Sequence, residues 1–292
     1  MVRLSTLGVA LAIALPLVAC TRHGGGGGGP TPIGQGPPPL GPGVSVDGPS
    51  APPAGAPGPA AQGGSPSGGP FFVADATRRA VPILRADAPN TRYAALDRDT
   101  CEAELTRRSV PFVRGEPTEG VMAPVRLRGA VRGVSIHTSR SAKEREKSIY
   151  EIFDCRLVLA LDDFSDLVSR RDVVEMIHFN AYRPKTQNGC TQKYWGLQHC
   201  AALAIDVGEL KRKDGSVLNV DRDFHGRIGL GTCASGTGPS PVTPQATELW
   251  SFVCDAAQRA LFNVMLTPNY NTEHKNHFHL EITPDAGWMM IK

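Results

Sequence analysis

The sequence predicts an α+β domain that follows a long linker. From residue 71 onward, short stretches with the period of strands are mixed with segments that have the period of helices, without the regular alternation of a parallel α/β sheet. Residues 21–70 contain 17 Gly and 13 Pro and only two fully charged side chains. Such a segment has too little apolar surface to offset the entropy of ordering the chain. We therefore expect a disordered tether over residues 20–72 and a folded domain over residues 73–292.

The charge balance argues against a nucleic-acid-binding function. The chain has 292 residues and a formal net charge of +3. From residue 71 onward it carries 29 Lys and Arg against 27 Asp and Glu, so there is no broad basic excess. We expect no nucleic-acid partner.

The N-terminus has the features of an export signal. Arg3 precedes an apolar run, Leu7 to Val18, that is too short to span a bilayer and suits a signal peptide. The run ends in Leu17-Val18-Ala19-Cys20, which resembles a bacterial lipobox. The resemblance implies a lipoprotein signal peptide over residues 1–19 and a lipid anchor on Cys20 that binds a membrane. Because Thr21 follows the cysteine, it also implies a periplasm-facing outer-membrane lipoprotein.

Six cysteines remain, an even number that suits disulfides in an oxidising compartment. A cysteine-rich zinc site is a weak alternative, because the sequence has no CxxC pair. Many pairings are open to six cysteines. We favour three that each close a modest loop, namely Cys101–Cys155, Cys190–Cys200 and Cys233–Cys254.

Periodicity, caps and turns predict the individual elements. The clearest helix is predicted over Pro244–Met265, where Thr243 can cap it and Pro244 suits the first helical position. Two shorter helical segments are predicted at Cys101–Arg108 and Asp163–Arg171. Strands are predicted at Leu157–Leu161, Val173–Phe179, Ala201–Val207 and Val217–Val220. A further strand is predicted near the end of the chain, where apolar residues alternate with polar ones: Phe278, Leu280 and Ile282 with His277, His279 and Glu281.

Two clusters carry side chains that suit metal chemistry. In the first, His199 is followed seven positions later by Asp206 within small apolar residues. In the second, His274-Lys275-Asn276-His277-Phe278-His279, the last two histidines lie on one face if the segment is a strand. Imidazole nitrogens and carboxylate oxygens are ordinary zinc ligands, and three of them leave a fourth position open for catalysis. His199, Asp206 and His279 are therefore the candidate ligands of one Zn²⁺ ion.

The other histidines have a simpler interpretation. His178 lies in an apolar strand and is interpreted as a core residue with its polar groups satisfied, and His23, His137 and His225 are given no role.

The paired motifs carry a resemblance to known families. The pattern H-x-x-A-x-A-x-D followed by H-x-x-H-x-H is similar to that of the LAS-type murein peptidases, which have the hedgehog/D,D-peptidase fold. Residues from about Cys101 to Ile282 resemble more closely the bacterial extensin-like C-terminal domain family, through Ala181-Tyr182-Arg183, the segment His199 to Asp206, and His277-Phe278-His279-Leu280. The resemblance implies a small antiparallel sheet with flanking helices.

It also implies roles for the site residues. His199, Asp206 and His279 would bind the zinc, and His277 would orient water or stabilise a tetrahedral intermediate. Arg183 would lie near the scissile carbonyl or a peptide carboxylate, both of which suit a guanidinium group. The implied reaction is hydrolysis of amides in peptidoglycan stem peptides by zinc-activated water, as in a D,D-carboxypeptidase or murein endopeptidase.

The sequence departs from the peptidase pattern at three positions. Asn276 stands where an Asp or Glu usually acts as the base, so Glu273, His274 and His277 remain the candidate bases. Leu197 replaces a Ser, and Ala202 replaces a Gly. The alternative function is thus a catalytically poor cell-envelope protein that binds zinc and peptidoglycan. A third possibility is a purely structural lipoprotein whose histidines cluster by coincidence.

Overall fold

The computed structural model describes residues 85–185 and 198–292 and, before them, the backbone of two antiparallel strands, β1 (Phe72–Asp75) and β2 (Arg78–Pro82). The signal peptide predicted over residues 1–19, the lipidated Cys20 and residues 20–71 of the predicted tether lie outside the described residues. None of the helices in the described part of the chain has both the length and the apolar character needed to cross a membrane.

A seven-stranded sheet forms the framework of the domain. Its strands are β5 (Ser135–Thr138), β7 (Val173–His178), β8 (Ala204–Arg212), β9 (Val217–Asn219), β10 (Val264–Leu266), β11 (Phe278–Glu281) and β12 (Met290–Ile291). Their order is β12-β10-β11-β8-β7-β5, and β9 pairs with β8. The central pairings are antiparallel, as predicted, whereas β5 runs parallel to β7 and β12 parallel to β10. A second sheet has the order β3-β4-β6, from β3 (Phe112–Arg114), β4 (Pro124–Leu127) and β6 (Phe153–Asp154).

Helices pack around these sheets, so the α+β prediction is confirmed. The helices are α1 (Pro89–Ala94), α2 (Arg98–Arg107), α3 (Ala142–Arg145), α4 (Cys155–Ser169), α5 (Val220–Asp223) and α6 (Pro244–Gln258). Two short 3₁₀ turns cover Ile149–Glu151 and Thr272–His274.

Helix α4 is the central helix of the core, and the strand predicted at Leu157–Leu161 is wrong. That stretch lies inside α4, whose first turn is capped because the Asp154 carboxylate accepts a hydrogen bond from the Arg156 amide at 3.1 Å. All five residues of the stretch are buried. A helical stretch that is buried on every side shows no polar face, so this part of the sequence lacks the 3.6-residue period that distinguishes a helix from a strand. The helix predicted from Asp163 is the C-terminal half of α4.

Helix α6 begins as predicted but ends early. Thr243 caps it by accepting a hydrogen bond from the Ala246 amide at 3.1 Å, and Pro244 is its first residue. The helix stops at Gln258, and Ala260 then has a left-handed backbone with φ of +50°. The prediction extended the helix over the apolar residues Val264 and Met265, which belong to β10. Short apolar runs fit the period of a helix or of a strand, so the pattern could not separate the two.

The remaining predicted strands are confirmed with shifted ends. Val173–Phe179 corresponds to β7, Val217–Val220 to β9, and the C-terminal alternation to β11. The strand predicted at Ala201–Val207 begins three residues later, because residues 198–202 form a turn, and it continues to Arg212.

Two of the predicted disulfides are confirmed, and Cys200 is also disulfide-bonded. Cys101–Cys155 ties α2 to the first residue of α4, and Cys233–Cys254 ties a loop to α6. The third predicted pairing involves Cys190, which lies outside the described residues.

The residues just before Cys101 belong to the folded domain. The Asn90 side chain donates to the Phe262 carbonyl at 3.1 Å, and the Tyr93 hydroxyl donates to the Asp163 carboxylate on α4. Arg108 binds the same carboxylate and that of Asp162 at 2.9 and 3.0 Å. The contacts of Tyr93 and Arg108 hold α1 and the end of α2 against α4.

Candidate metal centre

The three predicted ligands converge at the centre of the sheet. Asp206 on β8 and His279 on β11 are direct partners in the strand register, and His199 lies in the turn that precedes β8. Asp206 Oδ1 lies 3.1 Å from both His199 Nε2 and His279 Nδ1, and the two nitrogens are 3.2 Å apart. The three side chains form a group that can hold a metal ion.

A tight turn brings His199 to the strands. The Leu203 amide donates to the Gln198 carbonyl at 2.6 Å and the Ala202 amide to the His199 carbonyl at 3.2 Å. Ala202 is fully buried with φ of +54°. That left-handed conformation suits glycine and costs alanine about 1 kcal/mol, which accounts for the Gly expected there by resemblance. Leu197, the other departure next to this ligand, lies outside the described residues.

The outer nitrogen of each histidine has a partner that fixes the direction of the ring. His199 Nδ1 donates to the Ala181 carbonyl at 3.0 Å, and His279 Nε2 donates to Glu281 Oε2 at 2.9 Å. Each ring therefore presents the lone pair of its other nitrogen to the centre. Metal-ligating histidines almost always have such partners on carbonyl or carboxylate oxygens.

The carboxylate of Asp206 uses its two oxygens differently. Oδ1 faces the histidines, whereas Oδ2 accepts hydrogen bonds from Arg183 Nη2 at 2.5 Å and from Asn180 Nδ2 at 3.2 Å. Arg183 Nε in turn donates to Asn180 Oδ1 at 2.9 Å. This arrangement leaves one oxygen of Asp206 for a cation and holds the other in place.

The electrostatics of the group favour a positive charge at its centre. Burial would raise the pKa of Asp206, but the charge and hydrogen bonds of the neighbouring histidines lower it well below its usual range. Burial would lower the pKa of His279, but Asp206 and Glu281 outweigh it and raise the pKa to about 9. Burial lowers the pKa of His199, which favours its neutral form. The carboxylates of Asp206 and Glu281 thus favour a cation between them.

The other predicted site residues lie around this group at different depths. His277 Nε2 is 3.4 Å from Asp206 Oδ1, and its Nδ1 donates to Asn276 Oδ1 at 2.8 Å. The His274 ring lies 5.1 Å from that of His277 and 5.8 Å from that of His279, measured between centroids. Glu273 is exposed on the 3₁₀ turn. Arg183 and His277 thus contact the group of candidate ligands directly, whereas Glu273 is exposed.

His178 is buried as predicted, but its polar groups are not satisfied as expected. Neither ring nitrogen makes a hydrogen bond to the described residues, and Nε2 lies 3.7 Å from Glu151 Oε2. The ring packs edge-on against Phe153 instead.

Three contributors to the site were missed at the sequence level. Glu281 follows His279 by two positions, so the period of a strand places it on the same face and could have identified it. Asn180 and the Ala181 carbonyl carry no such signal. They reach the site because β7 ends beside β8, where the Phe179 amide donates to the Asp206 carbonyl at 2.9 Å.

We expect Glu281→Gln to weaken metal binding by about 10- to 100-fold, because an amide is a poorer acceptor for His279 Nε2 than a carboxylate and lowers the basicity of the ligand. Titration of the metal-free protein with zinc against a competing chelator measures the change. Glu209→Gln is the matched control, since Glu209 on β8 is a carboxylate that binds Asn219 at 2.8 Å. Equal affinities for both variants would show that Glu281 does not tune the site.

Comparison with known proteins identifies the family. Residues 99–292 match the family model described as extensin-like protein C-terminus. A search of curated proteins and a search of solved structures each found no significant match. The family model covers about two thirds of the chain and includes the candidate metal centre. The chain belongs to the extensin-like C-terminal family.

Proposed function

We propose that this chain is a zinc-dependent peptidase-like lipoprotein that hydrolyses amide bonds in peptidoglycan stem peptides. One observation carries the proposal. The lone pairs of His199 Nε2 and His279 Nδ1 and one oxygen of Asp206 point at a common centre. Two nitrogen ligands and one oxygen ligand form a donor set that suits zinc and leaves a position for water or substrate.

The spacing of the three atoms supports zinc as the ion. A tetrahedral zinc with bonds of about 2.0–2.1 Å separates its ligand atoms by roughly 3.3–3.4 Å. The three separations here, 3.1 to 3.2 Å, are slightly shorter, and small side-chain movements would match them to the ion. When bound, zinc lowers the pKa of a water ligand and polarises a carbonyl group.

His277 is the group best placed to take a proton. Its Nδ1–H is donated to Asn276, which leaves Nε2 as the basic atom, and Nε2 lies next to Asp206 Oδ1 in the centre. Glu273 is exposed, and His274 Nδ1 is 2.6 Å from Asn271 Oδ1. We therefore assign the general base to His277 and the orientation of its ring to Asn276.

Arg183 would act on the substrate side of the same centre. Its guanidinium group is held by Asp206 and Asn180, and its side chain is about a third exposed. A positive group that is fixed beside the metal ligands and open to solvent suits the developing oxyanion or a peptide carboxylate.

The position of Asn276 favours the alternative function, a catalytically poor protein that binds zinc and peptidoglycan. In the described residues, the carboxylates that contact the ligand histidines are those of Asp206 and Glu281. Both already accept hydrogen bonds, so neither replaces the missing base. An Asn amide cannot accept a proton at neutral pH. If His277 is too weak a base, the site binds its ligand without turnover.

A peptidoglycan substrate also fits the predicted attachment of the chain. A lipid on Cys20 would hold the protein on the outer membrane, and a coil of the length of the predicted tether spans about 40 Å root-mean-square. The domain would then search the space beside the membrane where peptidoglycan lies. The relation to the LAS-type peptidases is part of this proposal.

Mass spectrometry of purified muropeptides after incubation with the zinc-loaded full-length chain tests the function, with a chelator-treated sample as control. Loss of a peptide fragment that depends on zinc would establish the peptidase and identify the bond. Muropeptides that bind and stay intact would support the alternative. A protein that takes up no zinc and binds no muropeptide would overturn both.

We expect Asn276→Asp to raise the hydrolysis rate at least about tenfold. A carboxylate that accepts the Nδ1–H of His277 makes Nε2 a stronger base, and it can also act on water itself. Steady-state hydrolysis of muropeptides at equal zinc content measures the effect, and Asn276→Ala serves as a control without a carboxylate. An unchanged rate in fully zinc-loaded Asn276→Asp would contradict the view that proton transfer limits this site.

A further inference from the structure

In the described part of the domain, the exposed aromatic side chains lie at the candidate metal centre. In residues 85–185 and 198–292, two aromatic side chains are exposed, Phe179 at 46% and Tyr270 at 40%. The Phe179 ring packs edge-on against His277 with 5.7 Å between centroids, and the Tyr270 ring packs edge-on against His274 at 5.3 Å. An exposed apolar surface beside a cluster of functional groups is typical of a ligand-binding surface.

The four rings form a continuous row. His277 and His274 are neighbours at 5.1 Å, so the row runs from Phe179 through the two histidines to Tyr270. His274 also contacts the ligand His279 at 5.8 Å. The row therefore borders the candidate metal centre, and we call it the aromatic wall.

The backbone holds both ends of the aromatic wall in place. The Phe179 amide donates to the Asp206 carbonyl at 2.9 Å, so the residue is fixed to the strand that carries a metal ligand. Tyr270 follows Asn269, a buried side chain whose Oδ1 accepts from the Arg227 amide at 2.7 Å and whose Nδ2 donates to Thr232 at 2.9 Å. Two exposed rings on fixed backbone form a preorganised surface, which lowers the entropy cost of binding a ligand.

Gly208 provides the space for the Phe179 ring. A Cβ atom at position 208 would lie 2.7 Å from two atoms of that ring, closer than van der Waals contact permits. Any larger residue on this part of β8 would push the ring away from its place beside His277.

We propose that the aromatic wall is the substrate-binding surface of the site and that its ring faces take the small aliphatic side chains of the peptide beside the scissile bond. The assignment rests on the proposed function and adds where the substrate lies. Phe179 and Tyr270 offer apolar faces, on which methyl groups pack and exclude water. Arg183, which donates a hydrogen bond to Asp206, would bind the polar part of the same substrate.

The test compares Phe179→Ala and Tyr270→Ala with wild type, each as zinc-loaded full-length protein. The readout is the KM and kcat for a purified disaccharide tetrapeptide, or the Kd by calorimetry if the protein binds without turnover. We expect each variant to raise KM or Kd about five- to tenfold and to change kcat by less than about threefold. Val242→Ala is the control, since Val242 is a 77% exposed apolar residue two positions before α6 and its substitution should change neither constant.

Gly208→Ala tests whether the Phe179 ring must lie in its present position, because this variant keeps the ring and displaces it. At full zinc content, Gly208→Ala should raise KM or Kd as much as Phe179→Ala does. In the double variant, Gly208→Ala should add nothing to the effect of Phe179→Ala, because the ring that the new methyl group would displace is absent.

The outcomes distinguish this assignment from the proposed function. If wild type neither cuts nor binds muropeptides, the proposed function fails and this assignment with it. If wild type cuts or binds them and both ring variants match it, the assignment alone is wrong. The free tetrapeptide should show the same losses as the disaccharide form. Losses confined to the disaccharide form would mean that the wall binds sugar, and they would overturn the peptide assignment.

Discussion

His279→Ala should abolish stoichiometric metal binding and lower any hydrolysis to the background rate. The substitution removes one of three ligands and leaves the Glu281 carboxylate buried without its histidine partner. Two remaining ligands make a poor site, and a buried charge without its partner adds a further penalty. We expect the zinc content of the purified protein to fall from about one ion per chain to well below about one tenth.

Elemental analysis after dialysis measures the zinc content, and circular dichroism confirms that the domain remains folded. His137→Ala is the matched control, because His137 lies in the same sheet on β5 and belongs to no metal-ligand group among the described residues. A folded His279→Ala protein with unchanged zinc content would refute the ligand assignment.

Removal of the Cys101–Cys155 disulfide should lower the free energy of unfolding by about 4 kcal/mol. The two cysteines are fully buried and are separated by 54 residues in sequence. Linking such distant positions restricts the unfolded chain, and the loop-closure model gives about that value for a loop of this length. The bond also fastens α2 to α4, the helix around which the core is built.

Urea unfolding of the Cys101→Ala, Cys155→Ala double variant measures this change. Removing Cys233–Cys254, which spans 21 residues, should cost about 1 kcal/mol less in the same model. If the variant without Cys101–Cys155 unfolds at the wild-type midpoint with the same slope, the bond does not support the native core.

The cluster of candidate metal ligands could be predicted from the sequence because the spacing of its residues reflects the strand that carries them. The alternation of His277, His279 and Glu281 with buried Phe278 and Leu280 indicates one polar and one apolar face of β11. The strand register that places His279 opposite Asp206 could not be predicted from the local sequence, because register depends on the whole sheet.

There are physical reasons why other parts of the fold could not be predicted from the sequence. The apolar run in α4 has no polar face, so its period could not separate helix from strand. Asn180 and the Ala181 carbonyl reach the site through the end of β7, which brings together residues that no short motif connects. The parallel pairing of β12 with β10 likewise depends on a long connection rather than on local sequence.

The pairing of β8 with β11 makes the candidate metal site and the folding of this protein respond together to insertions. A shift of one residue in β11 would turn His279 toward the core and Phe278 toward the polar group, and a shift in β8 would exchange Asp206 with the buried Ile205 in the same way. In either case the candidate metal site and the apolar packing would be lost in the same event. A single substitution at the site can therefore remove its function and leave the protein folded. An added or deleted residue in β8 or β11 would remove the site and the folded structure together. In a library of length variants, we expect insertions to survive in the exposed loops and to be eliminated from these two strands by loss of folded protein, before any assay of activity.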